Sequence, residues 1–181
     1  MTLDAKIKKE LGLVQVYTGN GKGKTTASLG LALRAMGTGL SVGMIQFMKH
    51  ELEGGEYEMS KVLDNFTLIS RGPKYLLDPN NLTEEDGKVA YEALETAKEM
   101  IYSEKYDLFI MDEINTATGW KLIDVKDVIE MLKNRPKNIE IVLTGRYAPD
   151  EIIEYADLVT EMRKIKHPFD KGVDARKGIE G

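Results

Sequence analysis

Short apolar runs alternate with longer amphipathic stretches along the chain, which is the pattern of an α/β protein built on a parallel sheet. The apolar runs predict strands, and the stretches between them predict helices. The predicted strands cover residues 14–18, 42–47, 66–70, 108–111, 139–144 and 158–162. The predicted helices cover residues 24–36, 57–63, 84–103, 125–133 and 149–155.

The helix predicted over residues 84–103 carries the clearest signals. Thr83 and Asp86 stand at its start with the spacing of a capping box. Apolar residues then recur on one face at helical spacing, which predicts a stripe packed against the core. That stripe consists of Ala90, Leu94, Ala97 and Ile101.

The chain of 181 residues is long enough for one domain with a substantial core, and we assign residues 1–181 to a single domain. A short amphipathic helix is predicted over residues 2–11, outside the sheet, so that residues 1–12 form a flap. Residues 166–181 form a C-terminal tail. The composition, 42% hydrophobic and 30% charged, is that of an ordinary globular protein.

Composition and charge exclude several classes of protein. No stretch approaches the apolar length of a membrane span, and the N-terminal segment lacks the continuous apolar core of a secretory signal. Cysteine is absent, which excludes disulfides and thiolate metal sites and suits a reducing cytoplasm, so we expect a cytoplasmic protein without a membrane partner. A net charge of -5 argues against a broad nucleic-acid face, although a local basic groove is compatible with that total.

A glycine-rich stretch, TGNGKGKTT at 18–26, lies between the first predicted strand and the first predicted helix. It matches the phosphate-binding motif G-x-x-x-x-G-K-[ST] at every position except the first, where Thr18 stands. Gly21 and Gly23 let the backbone turn tightly, so that successive N–H groups point at phosphate oxygens. The positive end of the following helix adds to the attraction. The alternative is a glycine-rich turn with solvated lysines. In that case the match to the motif, and its place between a strand and a helix, would be a coincidence.

Two side chains of this loop carry chemistry. Lys24 supplies a mobile cation for the phosphates, and Thr25 places a hydroxyl to ligate Mg²⁺. We expect Lys24 to be a surface lysine that contributes little to stability. The motif therefore predicts binding of a nucleoside triphosphate by Gly19, Asn20, Gly21, Lys22, Gly23, Lys24, Thr25 and Thr26.

Two further strand ends carry candidate residues. The apolar run LFIMDEI at 108–114 ends in Asp112 and Glu113, and acids at such a strand end reach the magnesium or its water shell in P-loop proteins. Without the phosphate loop, the same acids fit the N-terminus of a helix. The run VLTGR at 142–146 places Arg146 at the carboxyl end of a strand, where it either holds phosphate or is a solvated turn residue.

These segments resemble one family, the ATP:corrinoid adenosyltransferases of bacterial cobalamin synthesis and salvage. The family's phosphate loop is similar to TGNGKGKTT, with threonine in the first position. The resemblance covers the chain from Leu13 to the C-terminus, and KHPFDKGVDARKGI in the tail is its most specific part. The similar segments are GLALRAMGTGLSVGMIQFMK (30–49), MDEI (111–114), RP (135–136), LTGR (143–146) and ADLVTEMRKIKHPFDKGVDARKGIE (156–180).

The resemblance implies a RecA-like P-loop fold, with a mostly parallel central sheet and helices on both faces, and an adenosyl transfer rather than a hydrolysis. In the family, a corrinoid reduced to Co(I) attacks the 5′ carbon of ATP, the adenosyl group moves to cobalt and triphosphate leaves. The family's ATP lies in the loop in reversed sense, with its α-phosphate near the place where other P-loops hold the γ-phosphate. Since Co(I) is already a strong nucleophile, the protein must align the reactants, exclude water and neutralise the leaving group.

On this resemblance, Lys24 and Glu113 are the catalytic residues, and Thr25 and Glu113 hold Mg²⁺. Arg146 contacts ATP. The family works as a homodimer in which an N-terminal helix covers the partner's active site, which implies the same role for residues 2–11. A reducing partner such as a flavodoxin is implied as well, because Co(II) must gain an electron before it attacks.

One segment, SRGPKYLLDPNNL at 70–82, departs from the family's pattern. The family carries a glycine followed by aromatic residues that lie over the corrin and help to displace its lower ligand. Here Gly72 fits, Pro73 stands at the first aromatic position, and Tyr75 is the candidate for the second. Tyr75 and the two leucines after it are either a replacement apolar lid or loop residues packed against the core.

Two other functions remain compatible with the sequence. The first is a P-loop ATPase or small-molecule kinase, in which Glu113 positions a water or an acceptor. The second is a carrier that binds a nucleotide and a corrinoid without turnover, which the altered segment at 70–82 makes conceivable. The products distinguish them, because hydrolysis gives ADP and phosphate whereas adenosyl transfer gives triphosphate.

Overall fold

The computed structural model describes residues 8–50 and 54–179, and its centre is a six-stranded sheet in the order β3-β2-β4-β5-β1-β6. All five strand pairings are parallel. This confirms the α/β fold class and is consistent with a RecA-like P-loop fold. The strands are β1 Val14–Thr18, β2 Val42–Phe47, β3 Phe66–Arg71, β4 Leu108–Asp112, β5 Glu140–Thr144 and β6 Leu158–Glu161.

Helices lie on both faces of the sheet, and most of them begin and end close to the predicted residues. The predicted helix at 57–63 lies earlier, at Gly55–Ser60, and the short helix at Ile114–Gly119 was not predicted. A 3₁₀ turn at Pro168–Lys171 was not predicted either. The helices are α1 Lys24–Gly37, α2 Gly55–Ser60, α3 Glu84–Tyr102, α4 Ile114–Gly119, α5 Val125–Asn134 and α6 Asp150–Tyr155.

Two apolar layers cover the sheet. Residues of α1 and α2 pack on one face, and residues of α3 to α6 pack on the other. Every position of β2, β4 and β5 is buried, as expected for central strands of a parallel sheet covered on both sides. The capping box of Thr83 and Asp86 is confirmed, and the predicted stripe of α3 is buried.

The strand β6 differs from the central strands, because every one of its positions is exposed. Its apolar residues Leu158 and Val159 are both accessible, and further apolar side chains are exposed in the segment that follows. An edge strand of a parallel sheet with neither face covered is unusual. This end of the sheet therefore presents an apolar surface.

The parallel sheet brings several loops to one edge. Since β4, β5 and β1 are neighbours, the residues after their carboxyl ends meet: the phosphate loop, the Asp112–Glu113 pair and the turn at Arg146. Open α/β sheets bind ligands at this edge. The predicted flap lies mostly outside the described residues, which begin at residue 8. No helix in the described part of the chain is long and apolar enough to cross a membrane.

Candidate active site

The phosphate loop runs from the end of β1 to the first residue of α1. Gly19 and Gly23 have φ angles of 93° and 120°, which favour glycine. A Cβ atom on Gly21 would lie 2.7 Å from the carbonyl oxygen of Met162, and the Gly21 N–H donates a hydrogen bond of 2.6 Å to that oxygen. The glycines thus allow the segment after β6 to lie directly against the loop.

Lys24 is held inside the loop that it terminates. Its Nζ donates to the carbonyl oxygens of Gly19 at 2.9 Å and Gly21 at 2.8 Å, and the residue is only 7% exposed. The expectation of a surface lysine is therefore wrong, because the loop folds around the ammonium group. Burial lowers the pKa of Lys24, and the negative charge of Glu113 opposes that shift. The ammonium group therefore lies within the phosphate loop, bound to its carbonyl oxygens.

A buried carboxylate joins the phosphate loop to two strands. The Asp112 Oδ1 atom accepts hydrogen bonds from the hydroxyls of Thr25 at 2.8 Å and Thr144 at 2.6 Å. Asp112 is 2% exposed, and burial raises its pKa to about 6 although both hydrogen bonds favour the charged form. The sequence indicated Asp112 and Thr25 but missed Thr144, which connects β5 to the acidic end of β4.

Glu113 has an unusual backbone conformation, with φ at 65° in the left-handed region. Its N–H donates to the Thr144 hydroxyl oxygen at 3.1 Å, and its Oε2 accepts a hydrogen bond from the Thr116 hydroxyl. A non-glycine residue in this region costs roughly 1–3 kcal/mol, and such strain is found at functional sites. The turn brings the Glu113 carboxylate close enough to Lys24 to affect its pKa.

Arg146 follows the carboxyl end of β5, as the sequence predicts. Its side chain is exposed. Its positive charge contributes to the lowered pKa of Lys24, so the two cations lie close enough to interact. The backbone N–H of Arg146 donates a hydrogen bond of 2.9 Å to the Thr116 hydroxyl oxygen. Thr116 is a site residue that sequence reasoning missed, because an isolated threonine in an unpredicted helix gives no signal.

Thr18 occupies the position where the phosphate-binding motif has glycine. Its hydroxyl oxygen accepts a hydrogen bond of 3.3 Å from the Ala148 N–H, and its carbonyl accepts one of 2.8 Å from the Met162 N–H. The side chain therefore ties β1 to the turn after β5. This contact gives a physical reason for threonine at the first position, since glycine has no side chain to make it.

The C-terminal segment lies against the outer side of the phosphate loop. Lys22 donates from Nζ to the Ile179 carbonyl oxygen at 3.0 Å, and the Asn20 Oδ1 atom accepts from the Lys164 N–H at 3.2 Å. Thr26 lies in the first turn of α1 and is exposed. The sequence motif identifies the loop that contains these residues, but it does not indicate that the C-terminal segment contacts the loop.

Tyr75 lies after β3, four strands from the phosphate loop in the sheet order. At about 4.8 Å per strand, β3 and β1 are roughly 19 Å apart in the sheet. The Tyr75 hydroxyl donates a hydrogen bond of 2.6 Å to Asp86 Oδ1, which lowers the pKa of that carboxyl group. Tyr75 is 56% exposed and Leu76 is 97% exposed, whereas Leu77 packs against the core. The segment thus presents two exposed apolar side chains, at a distance from the phosphate loop.

The donor atoms at the end of β4 fit a hard cation. Mg²⁺ takes oxygen ligands, keeps several waters and is usually held by one or two protein groups together with substrate phosphates. The Thr25 hydroxyl and the Glu113 carboxylate offer such oxygens beside the phosphate loop, with Asp112 behind them. The described residues contain no cluster of three acidic or histidine side chains that could hold a metal ion by itself.

Comparison with known proteins gives consistent matches along nearly the whole chain. The family model described as ATP:corrinoid adenosyltransferase BtuR/CobO/CobP matches residues 10–181. A corrinoid adenosyltransferase of a Sinorhizobium species is 40% identical over 177 residues, which cover 94% of this chain and 81% of the relative. The corrinoid adenosyltransferase of Escherichia coli strain K12 is 36% identical, and the corrinoid adenosyltransferase CobA of Salmonella typhimurium strain LT2 is 34% identical. Both alignments cover 97% of this chain and 89% of the relative.

Proposed function

The chain belongs to the BtuR/CobO/CobP family of ATP:corrinoid adenosyltransferases, and we propose that its phosphate loop and the Asp112–Glu113 pair form the ATP half of the active site. The protein is a transferase that moves the 5′-deoxyadenosyl group of ATP to the cobalt of a corrinoid. The bond between the 5′ carbon and its oxygen breaks, the electron pair of Co(I) forms the cobalt–carbon bond, and triphosphate leaves with the oxygen.

The leaving triphosphate is highly charged, so its neutralisation is the main electrostatic task of the protein. Lys24 and Lys22 in the phosphate loop and Arg146 after β5 supply positive charge to this region. Backbone N–H groups of the phosphate loop add directed donors, except that of Gly21, which donates to the Met162 carbonyl oxygen. The observation that carries this assignment is the contact between Thr25 and Asp112, because it brings the phosphate loop and the acidic strand end into one site.

Thr25 and Glu113 are the residues proposed to hold Mg²⁺. Magnesium, when bound, supplies positive charge that stabilises the oxygens of the leaving group. The Thr25 hydroxyl donates its hydrogen bond to Asp112, so the lone pairs of the hydroxyl oxygen remain available to a cation. The Thr116 hydroxyl holds the Glu113 carboxylate through a hydrogen bond.

The corrinoid is proposed to bind beyond the nucleotide, above the ends of β2 and β3. Tyr75 and Leu76 are the exposed apolar side chains of the segment at 70–82, and a corrin needs apolar contact on its faces. Tyr75 is anchored by Asp86 at the start of the rigid helix α3. We propose that Tyr75 lies over the corrin, in place of the aromatic residues that the family carries there.

Two protein partners belong to this proposal. A flavodoxin-like or other reductase supplies the electron that converts Co(II) to Co(I). A second copy of the chain forms a homodimer, which would cover the exposed edge strand β6 and its apolar neighbours. Neither partnership requires a membrane or a nucleic acid.

One assay tests the function directly. The protein is mixed with chemically reduced corrinoid and MgATP, the cobalt–carbon bond is followed spectroscopically, and triphosphate is measured by ion chromatography. We expect adenosylated corrinoid and triphosphate in equal amounts. ADP and phosphate without a cobalt–carbon bond would instead identify an ATPase or kinase, and binding of both ligands without products would identify a carrier.

A further inference from the structure

A single hydroxyl group connects the metal side of the site to its phosphate side. We propose that Thr116 is a positioning residue that fixes Glu113 and Arg146 relative to each other, so that the magnesium and phosphate contacts form together. This inference rests on the proposed roles of Glu113 and Arg146. In this proposal Thr116 acts through these two residues and not by direct contact with ATP or Mg²⁺.

The hydrogen bonds of Thr116 use its hydroxyl as a donor and as an acceptor at once. A threonine hydroxyl has one hydrogen and two lone pairs. The hydroxyl donates a hydrogen bond to Glu113 Oε2, and one of its lone pairs accepts a hydrogen bond of 2.9 Å from the backbone N–H of Arg146. Thr116 is 4% exposed, so little water is available to replace either bond. Loss of the hydroxyl therefore leaves a carboxylate oxygen and an N–H without this partner.

The bond to Glu113 is not an ordinary helix cap. Glu113 is the N-cap residue of α4, yet its side chain makes no capping bond to the first N–H groups of the helix. Instead its carboxylate receives a hydrogen from the side chain of Thr116, one turn into the helix. In a capping box the N-cap side chain accepts from a backbone N–H. The Thr116 hydroxyl thus orients a carboxylate and does not complete the helix terminus.

Gly145 packs closely against the backbone and the hydroxyl of Thr116. Gly145 has a φ angle of 128°, and a Cβ atom placed on it would lie 2.7 Å from the Thr116 N atom and 2.8 Å from its Oγ1. A side chain at position 145 would push Thr116 away from Arg146. Glycine between Thr144 and Arg146 is therefore required for the hydrogen bond that links the two sides of the site.

The test compares Thr116→Val with Thr116→Ser. Valine has nearly the same shape as threonine but no hydroxyl, whereas serine keeps the hydroxyl. The measurements are the ATP dissociation constant by calorimetry at several Mg²⁺ concentrations, the KM for ATP, the Mg²⁺ concentration for half-maximal transfer, and the free energy of unfolding. We expect Thr116→Val to raise both the Mg²⁺ requirement and the ATP constants by about 10-fold, the size of one hydrogen bond to a charged group. Thr116→Ser should stay close to the parent.

Thr118→Val is the matched control, because Thr118 is a second buried threonine of α4. Its hydroxyl donates to the carbonyl oxygens of Ile114 and Asn115, away from the site. This variant should change stability only. If Thr116→Val likewise changes stability and leaves the ATP and Mg²⁺ constants unaltered, the positioning role is overturned. Should valine not be tolerated, Thr116→Ala removes the same hydroxyl and carries the same expectation.

Two further variants separate this inference from the proposed function. Glu113→Gln should raise the Mg²⁺ requirement, and Arg146→Ala should raise the KM for ATP. If neither does so, the proposed roles of these residues fail. If both do, the double variant Thr116→Val/Glu113→Gln should need no more Mg²⁺ than Glu113→Gln alone. Full addition of the two shifts would show that Thr116 does not act through Glu113.

Discussion

The Thr25 hydroxyl donates a hydrogen bond of 2.8 Å to Asp112 Oδ1, so the end of the phosphate loop is fastened to the acidic end of β4. Thr144 donates to the same oxygen atom from β5. One buried carboxylate therefore sets the separation between the phosphate loop and two neighbouring strands.

Replacement of Lys24 should abolish most of the transfer activity. Lys24→Met keeps an unbranched apolar stem but removes the ammonium group, and the loss of such a charge-stabilising group should slow turnover by about 10²–10³-fold. The rate is measured at saturating ATP with prereduced corrinoid. Because Lys24 is buried and holds two loop carbonyls, the variant should also unfold more easily, by about 1–3 kcal/mol. An unchanged rate in a folded variant would remove the loop from the mechanism.

Glu113→Gln should raise the Mg²⁺ concentration needed for half-maximal activity and slow the transfer, since a neutral amide binds a hard cation less well. The measurement is a magnesium titration of the rate with ATP held at saturation. A variant that keeps full transfer and loses only a background ATPase activity would assign Glu113 the role of a base that activates water. That result would favour the ATPase or kinase alternative.

Asp112 should make the stability of the protein depend on pH. Its pKa in the folded protein is about 6, above its ordinary value of 3.8, so the folded state binds this proton more tightly than the unfolded state does. The free energy of unfolding should therefore fall as the pH rises from about 4 to about 6, by about 3 kcal/mol from this group.

The variant Asp112→Asn cannot titrate and should lose this contribution. Denaturant unfolding of both proteins between pH 4 and 8, without nucleotide or Mg²⁺, measures the difference. We expect the variant to gain stability relative to the parent as the pH rises through 6. Parallel curves over this range would show that Asp112 does not carry a raised pKa.

The two substitutions Tyr75→Ala and Tyr75→Phe separate the ring of Tyr75 from its hydroxyl. Tyr75→Ala removes an apolar surface worth on the order of 1–3 kcal/mol of contact. If the ring lies over the corrin, activity should fall more with Co(II) and a protein reductant than with prereduced Co(I). ATP affinity should stay unchanged, because Tyr75 follows β3 whereas the phosphate loop follows β1, four strands away in the sheet.

Tyr75→Phe is the control, since it removes the hydrogen bond to Asp86 and keeps the ring. Its stability should fall slightly, because one hydrogen bond is lost, while its corrinoid rates stay close to those of the parent. Equal losses for Tyr75→Ala in both assays would show that Tyr75 does not activate cobalt. No loss in either assay would make it an ordinary loop residue.

The parts of the site that the sequence predicted are those with a local signature. Nine consecutive residues predict the phosphate loop, through the spacing of their glycines together with Lys24 and Thr25. The end of an apolar run likewise indicates Asp112 and Glu113. The strand bounds also followed from local patterns, because the central strands are buried on both faces and read as continuous apolar runs.

The parts that the sequence did not predict depend on contacts between distant residues. Thr116 and Thr144 act only because β4 and β5 are neighbours, and threonine is common at many other positions. The burial of Lys24 follows from the way the loop closes around it, which the motif does not specify. The contact of the C-terminal segment with Lys22 depends on the path of the chain after β6.

The position of β1 in the sheet determines when the ATP site can form during synthesis. Among the described residues, β1 pairs with β5 and β6 alone, and the hydrogen bond from Gln15 to Glu140 joins residues 125 positions apart. At about 5–20 residues per second, the ribosome needs roughly 6–25 s to make the chain between them. Until then the strand that leads into the phosphate loop has no partner, whereas β2 and β3 can already pair. The strand before the phosphate loop is therefore paired late in synthesis, after its partners β5 and β6 have been made.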